Sequence, residues 1–271
     1  MRNIIMIAVF LASCGRDDAT DSKLILLSRT AAPTTRSTVD NTWNGGEQVY
    51  VSIDNGAANT FIAAAEGTLT PLDEIYWQSS GQTISARAWY PDPDTWSFSI
   101  DQSNGLQGAD FVFAPTVSGI RYNNHLDNPL LFHHLTAKVT VHLTAGTDID
   151  DVSRATLSLY GAVAGTVNTN DGLIAGTGEG WITPYRAAGT DTYTALLIPR
   201  DMTGVQFLKI TLDGYDYYYT PSVGAADLEP GNSYAYDITV HKTRLTVTVA
   251  GTGVTWNDSG NGGTVTGIPV E

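Results

Sequence analysis

Ala137, Val139, Val141 and Leu143 alternate with Lys138, Thr140 and His142, and this period of two narrows what the chain can fold into more than any other feature. Side chains on an extended backbone point to opposite faces in turn, so such a run reads as a strand with one buried and one solvated face. Arg244 to Val249 repeats the pattern, with Leu245, Val247 and Val249 inward. No long segment carries apolar residues at helical spacing, so little helix is expected. Charged residues make up only 15% of the chain, and its richness in Thr, Gly, Tyr and Trp favours strands and turns.

Taken in order, the chain reads as short strands punctuated by turn residues. Gln48 to Ile53 alternates and ends at Asp54-Asn55-Gly56, a turn sequence. Thr83 to Tyr90 alternates again, Pro91-Asp92-Pro93-Asp94 stops it, and Trp96 to Ile100 reads as the next strand. Asp110 to Pro115 reads as a short buried strand. Asn128-Pro129 then breaks regular structure before Leu130. A chain of 271 residues fits one large or two ordinary domains, so this break is taken as a junction between units 37–128 and 129–271. Thr156 to Tyr160, Thr192 to Ile198, Leu208 to Leu212 and Tyr215 to Tyr219 continue the second, with Asp213-Gly214 as a tight hairpin turn. Strands at this spacing suggest sandwiches.

Little of the chemistry points to catalysis or metal. His133 and His134 are adjacent, so in an extended chain they point apart and cannot share a metal; no metal site is expected. Asp148 to Asp151 and Asn168 to Gly172 resemble calcium loops. With Gly172 at the sixth position, however, Glu179 falls one residue late for the bidentate ligand, and solvated acidic turns are the better reading. Tyr217, Tyr218 and Tyr219 are consecutive and must alternate faces, so they form no single flat platform. Gly-x-Ser-x-Gly, His-Glu-x-x-His and P-loop patterns do not occur, so the chain reads as no enzyme and needs no cofactor. A net charge of −14 repels phosphate backbones, which argues against nucleic acid.

The two ends carry more information. Arg2 precedes the apolar run Ile4 to Ala12, too short to span a bilayer of about 20 helical residues but fit for the core of an export signal. Leu11-Ala12-Ser13-Cys14 resembles a lipobox, which makes residues 1–13 a lipoprotein signal and Cys14, the sole cysteine, the site of lipid attachment. Two acyl chains, at about 0.8 kcal/mol per buried CH2, suffice for a stable anchor. Residues 14–36 then form a leader. Within it Lys23 to Ser28 reads as a first strand, and Arg29 to Thr38 is a small-residue, Pro-containing loop whose arginines are accessible to a trypsin-like protease, or simply a linker. At the other end a Gly-rich stretch leads to Gly263 to Val270, a segment of strand character outside any hairpin, suited to pair with another subunit.

Several stretches together resemble the fimbrillin superfamily, the lipoprotein pilins of type V pili in Bacteroidota. They are Tyr76-Trp77, Ile84 to Pro91, Ala109 to Ala114, Phe132 to Val141 (like the family's Phe-x-His-x-x-(Ala/Ser)-Lys strand), Ile198-Pro199, Leu228 to Tyr234 and Trp256. Asp17 and Asp18 after Cys14 also resemble the surface-export signal of such lipoproteins. The resemblance implies an all-β chain of two transthyretin-like β-sandwich domains in tandem. It further implies lipidated export to the outer membrane and cell surface, arginine-specific cleavage at Arg36 (alternatively Arg29), removal of the first strand, and entry of another subunit's 263–270 strand into the vacated groove. Val265, Ile268 and Val270 are then the donor's apolar residues. The implied partners are other pilin subunits, the outer membrane through the lipid before processing, and a host or bacterial surface ligand. The competing reading is a surface glycan-binding lipoprotein of a polysaccharide-uptake system.

Overall fold

The structure, a computed structural model, describes residues 22–30 and 43–256. The described chain is all-β, with no α-helix and a single-turn 3₁₀ segment at Gln107–Ala109 that buries Ala109. In the N-terminal half β1 (Leu26–Thr30), β2 (Gln48–Ile53), β3 (Ala58–Ala63), β4 (Thr68–Pro71), β5 (Thr83–Tyr90), β6 (Val112–Arg121) and β7 (Leu130–His134) form one sheet closed on itself, in the order β1-β4-β3-β2-β5-β6-β7. Its core is built from the inward members of each alternation: Val49, Val51, Phe61, Leu69, Ile84, Leu130 and Phe132 all sit out of solvent. The Asp54-Asn55 turn forms as expected, with both residues at positive φ and the Gly56 N–H donating to the Ile53 carbonyl at 2.8 Å. That left-handed pair fits the twist of the β2–β3 hairpin.

The C-terminal half holds β8 (Ala137–Ala145), β9 (Thr156–Gly161), β10 (Ala164–Asn168), β11 (Leu173–Thr177), β12 (Gly180–Ile182), β13 (Tyr185–Arg186), β14 (Thr192–Leu197), β15 (Leu208–Leu212), β16 (Tyr215–Tyr219), β17 (Asn232–Val240) and β18 (Leu245–Thr255). A five-stranded sheet, β13-β14-β8-β17-β18, and a four-stranded sheet, β12-β9-β15-β16, bury their inner faces in one shared core. Ala137, Val139, Val141 and Leu143 line it as their alternation predicts. Asp213 and Gly214, both at positive φ, make the turn between β15 and β16.

Two expectations need correction. The junction placed at Asn128-Pro129 lies one strand too early. β7 follows the proline yet pairs with β6 and β1, and Leu130 and Phe132 bury in the N-terminal core. The chain changes sheet between His134 and Ala137, because the apolar face ahead of Leu135 already has a neighbour on each side. The segment from Trp96 to Ile100 is no strand either. Its backbone bonds locally, Trp96 N–H to the Asp92 carbonyl at 2.8 Å, and it crosses into the other half, where Phe98 joins the C-terminal core.

The halves exchange segments. Gln102 is wholly buried, and its side-chain amide both donates to the Leu196 carbonyl and accepts from the Leu196 N–H, each at 2.8 Å. A glutamine here extends the β14 ladder as a peptide group would. In the opposite direction the β10–β11 hairpin lies against the N-terminal half, where Val167 and Ile174 pack on Trp89, Phe111 and Phe113. Arg87, on the β5 face opposite Ala86 and Ala88, is buried as well and donates to the Thr169 carbonyl at 3.0 Å and Asn170 at 2.9 Å.

Candidate functional site

β1 closes the N-terminal sheet. It runs antiparallel to β4, with Leu26 opposite Leu69, and parallel to β7, with Ser28 opposite Leu130 and Thr30 opposite Phe132. Among the described strands it alone links these two, so without it the closed sheet becomes six strands with two open edges, β4 and β7. Its inward residues, Leu24, Leu26 and Ser28, are each no more than 2% exposed. Burying two leucines is worth about 1.5–3 kcal/mol apiece. The strand is thus held firmly, although in sequence it stands apart from β2 to β7.

Ser28 is the polar member of that inward row. Its hydroxyl donates to the Gly67 carbonyl at 2.7 Å and accepts from Trp43 Nε1–H at 3.0 Å. Trp43 also meets Phe132 and Tyr90 edge-on at 5.5 and 5.6 Å. Upstream, the Leu24 N–H donates to the Ile75 carbonyl, and the Lys23 ammonium pairs with Glu74 at 3.2 Å. That exposed carboxyl is held below its usual range, first by the Lys23 hydrogen bond and then by Tyr76.

A second cluster sits where the chain changes halves. The buried His134 ring meets the Asp110 carboxylate at 2.9 Å through Nδ1 and stacks on Trp256 at 3.7 Å and 16°. Lys138 lies over the other ring system of this group, with Nζ 5.3 Å from the Trp256 centroid. Trp256 is itself fixed by its N–H, which donates to the Gly231 carbonyl at 2.7 Å. This pins the end of β18 immediately before the carboxy-terminal tail.

The residues singled out from sequence fall unevenly on this geometry. Arg29 lies in β1, its backbone in register with Leu131 and its side chain exposed. Cys14, Arg36, Val265, Ile268 and Val270 lie outside the described residues. His133 and His134 point to opposite faces, exposed and buried. No grouping of His, Cys, Asp and Glu among the described residues could hold a metal. The acidic turns satisfy themselves: Asp171 accepts from the Leu173 N–H and Asn168, and Asp148 from His241 and the Lys242 N–H. Of the three tyrosines, Tyr219 is buried, Tyr217 half-buried and Tyr218 exposed. The Ser28–Trp43 bond was not legible in advance, since its partners flank a segment with no readable pattern.

The fimbrillin-like family profile matches residues 35–256. The chain belongs to the fimbrillin-like family. The fold agrees. A solved structure of a candidate cell adhesion protein from Bacteroides uniformis superposes on this fimbrillin-like chain with a TM-score of 0.70 at 18% identity, covering 88% of this chain and 99% of that one. A second, from Bacteroides ovatus, gives 0.63 at 16% identity over 86% and 97%, and a third, from Bacteroides thetaiotaomicron, 0.52 at 17% over 80% and 90%. At these identities the likeness speaks for the fold alone. No curated protein matches the sequence. The family match begins at residue 35, past β1, and ends at Trp256, before the tail.

Proposed function

We propose that this fimbrillin-like chain is a structural subunit of a cell-surface fimbria serving adhesion. It is exported as a lipoprotein through Cys14, cleaved at Arg36, and polymerised when the 263–270 strand of one subunit replaces β1 of the next. In this reading the chain is two transthyretin-like domains that meet between His134 and Ala137. The observation that carries it is the closure of the N-terminal sheet by a strand outside the family match. The shared fold is then a sheet short of one strand, and strand addition along an open edge is a general mode of association.

Arg36 is the better cleavage site on physical grounds. Arg29 is engaged in the ladder opposite Leu131, so a protease would have to peel β1 before reaching its bond. Cleavage after Arg36 leaves Trp43 with the mature chain and releases β1 as a separable peptide.

The donor has the composition the groove requires. Read from Val270 backwards, Val270, Ile268 and Thr266 give two apolar residues and a hydroxyl at alternate positions, as Leu24, Leu26 and Ser28 do. A donor entering in the direction opposite to β1 therefore brings a hydroxyl to Trp43 Nε1 and the Gly67 carbonyl. Pro269 then faces outward, where its missing N–H costs one ladder bond. Val265 belongs to the outward row with it.

The test is to treat the purified chain, lacking residues 1–14, with an arginine-specific protease and to map the new terminus by mass spectrometry. A terminus at Ser37 and a ladder of oligomers on a gel are expected, with both lost in R36A. Cleaved protein that stays monomeric at high concentration would overturn the assembly reading.

A further inference from the structure

The outer face of the β12-β9-β15-β16 sheet gathers aromatic side chains from strands distant in sequence. Inward, Leu157, Leu159, Ile182, Leu208 and Ile210 fill the core. Outward, Trp181 stands opposite Tyr160, while Lys209 stands opposite Ser158 on one side and Tyr218 on the other. Trp181 meets Tyr160 at 5.2 Å and 68°, yet it also meets Tyr218, three strands away, at 6.2 Å and 48°. The indole therefore lies across the sheet, over the row where Ser158 leaves room. Lys209 Nζ sits 5.3 Å from its centroid. At the rim the Tyr160 hydroxyl donates to Glu179 at 3.2 Å, and Arg200 pairs with the same carboxylate at 2.8 Å.

We propose that this face binds a neutral, extended glycan. Three rings, a lysine and a carboxylate–guanidinium pair give apolar ring surface beside hydrogen-bonding groups of both senses. A pyranose presents the matching pair of features, a C–H face and a rim of hydroxyls. Tyr and Trp supply such amphipathic contact at little entropic cost. On a chain of net charge −14, this face balances Lys209 and Arg200 against Glu179 and Asp216. It thus offers no net charge to draw in a charged polymer in place of a neutral one. A protein partner fits less well, because interface cores are depleted in Lys and Glu. The rings are spread across the face of a four-stranded sheet, which suits a segment laid across it rather than an enclosed small molecule. Aromatic pairs also stabilise a sheet by cross-strand contact alone, and the experiment separates that role from binding.

The site needs no cleavage or polymerisation, so it is tested on the uncleaved chain. The probes are mannan-, xylan- and dextran-derived hexasaccharides, with an oligogalacturonate as the charged control, followed by calorimetry and by tryptophan fluorescence. Binding of at least one neutral probe at millimolar concentration or below is expected, with affinity falling about 10-fold in Y218A. Tyr218 is 45% exposed on an edge strand, so this variant keeps the fold, as circular dichroism would verify. W181A should lose binding altogether, and K209M should weaken it. No binding by any neutral probe, stronger binding of the oligogalacturonate, or binding unchanged in both Y218A and W181A would each overturn the assignment.

Discussion

Trp43 and Ser28 are joined by a hydrogen bond from Nε1–H to Oγ at 3.0 Å, which spans the two sides of the segment proposed for cleavage. The indole thereby holds β1 from the far side of the cleavage site proposed above. Replacing Ser28 by Ala leaves the buried Trp43 Nε1–H without its acceptor, while the Gly67 carbonyl keeps the Ser28 backbone N–H at 2.8 Å. The expected cost is about 1–3 kcal/mol, read from urea unfolding of the uncleaved chain. After cleavage and loss of β1 the wild type and S28A become the same protein, so the difference must vanish.

Gly172 closes the β10–β11 hairpin at φ +74°, and a Cβ there would overlap the Phe113 ring. Gly189 has a similar φ of +70° with open space around it. Alanine at Gly189 should therefore cost only the backbone penalty, about 1 kcal/mol. At Gly172 overpacking adds about 1–3 kcal/mol and loosens the hairpin from Trp89 and Phe111. Thermal unfolding of the two variants side by side checks this, and equal losses would show that the hairpin yields without resistance.

Trp256 and the tail behind it are expected to act separately. Removing the indole in W256A takes away the stack on His134 and the Lys138 contact, at about 3–5 kcal/mol for a buried tryptophan. Truncation just after Trp256 should leave the urea midpoint of the monomer unchanged and abolish self-assembly after cleavage. Assembly by the truncated chain would place the donor elsewhere.

Asp101, Asp151 and Asp201 each open a turn that donates back to them from Ser103, Ser153 or Thr203. The side-chain hydroxyl, and then the backbone N–H, holds each carboxyl below the usual aspartate range. A folded-state value below the unfolded one stabilises at pH above the unfolded value, about 3.9, and that stability is lost as pH falls through the depressed range. All three are exposed, so each contribution is small. The urea midpoint should drop between about pH 6 and pH 3, and the triple Asp→Asn variant should drop less.

The strands with one buried face are legible because period two is a local property: β2, β5, β8 and the start of β18 lie where their alternation places them. What was lost depended on partners far along the chain. Leu130 to His134 reads the same whether it opens the second half or closes the first, and only its pairing with β1 and β6 decides. Alternation along Thr83 to Tyr90 does not show that Arg87 and Trp89 are also covered, because the hairpin that covers them comes about 80 residues later. Likewise Tyr218 shares no platform with Tyr217 and Tyr219, but it gains Trp181 and Tyr160 through the sheet. Asn168 to Gly172 has the composition of an acidic turn, and its role as the tip packed on Phe113 has no signal beyond the glycine itself.

The exchange of segments between the halves governs how the chain bears load. Phe98 and Gln102 are lent to the C-terminal core, and Val167 and Ile174 to the N-terminal one. Drawing the halves apart requires extracting both pairs at once, together with the Thr169 carbonyl and the Asn170 side chain that hold Arg87. Tension along the chain is therefore met as shear across many simultaneous contacts rather than as peeling of one, and the two halves yield together.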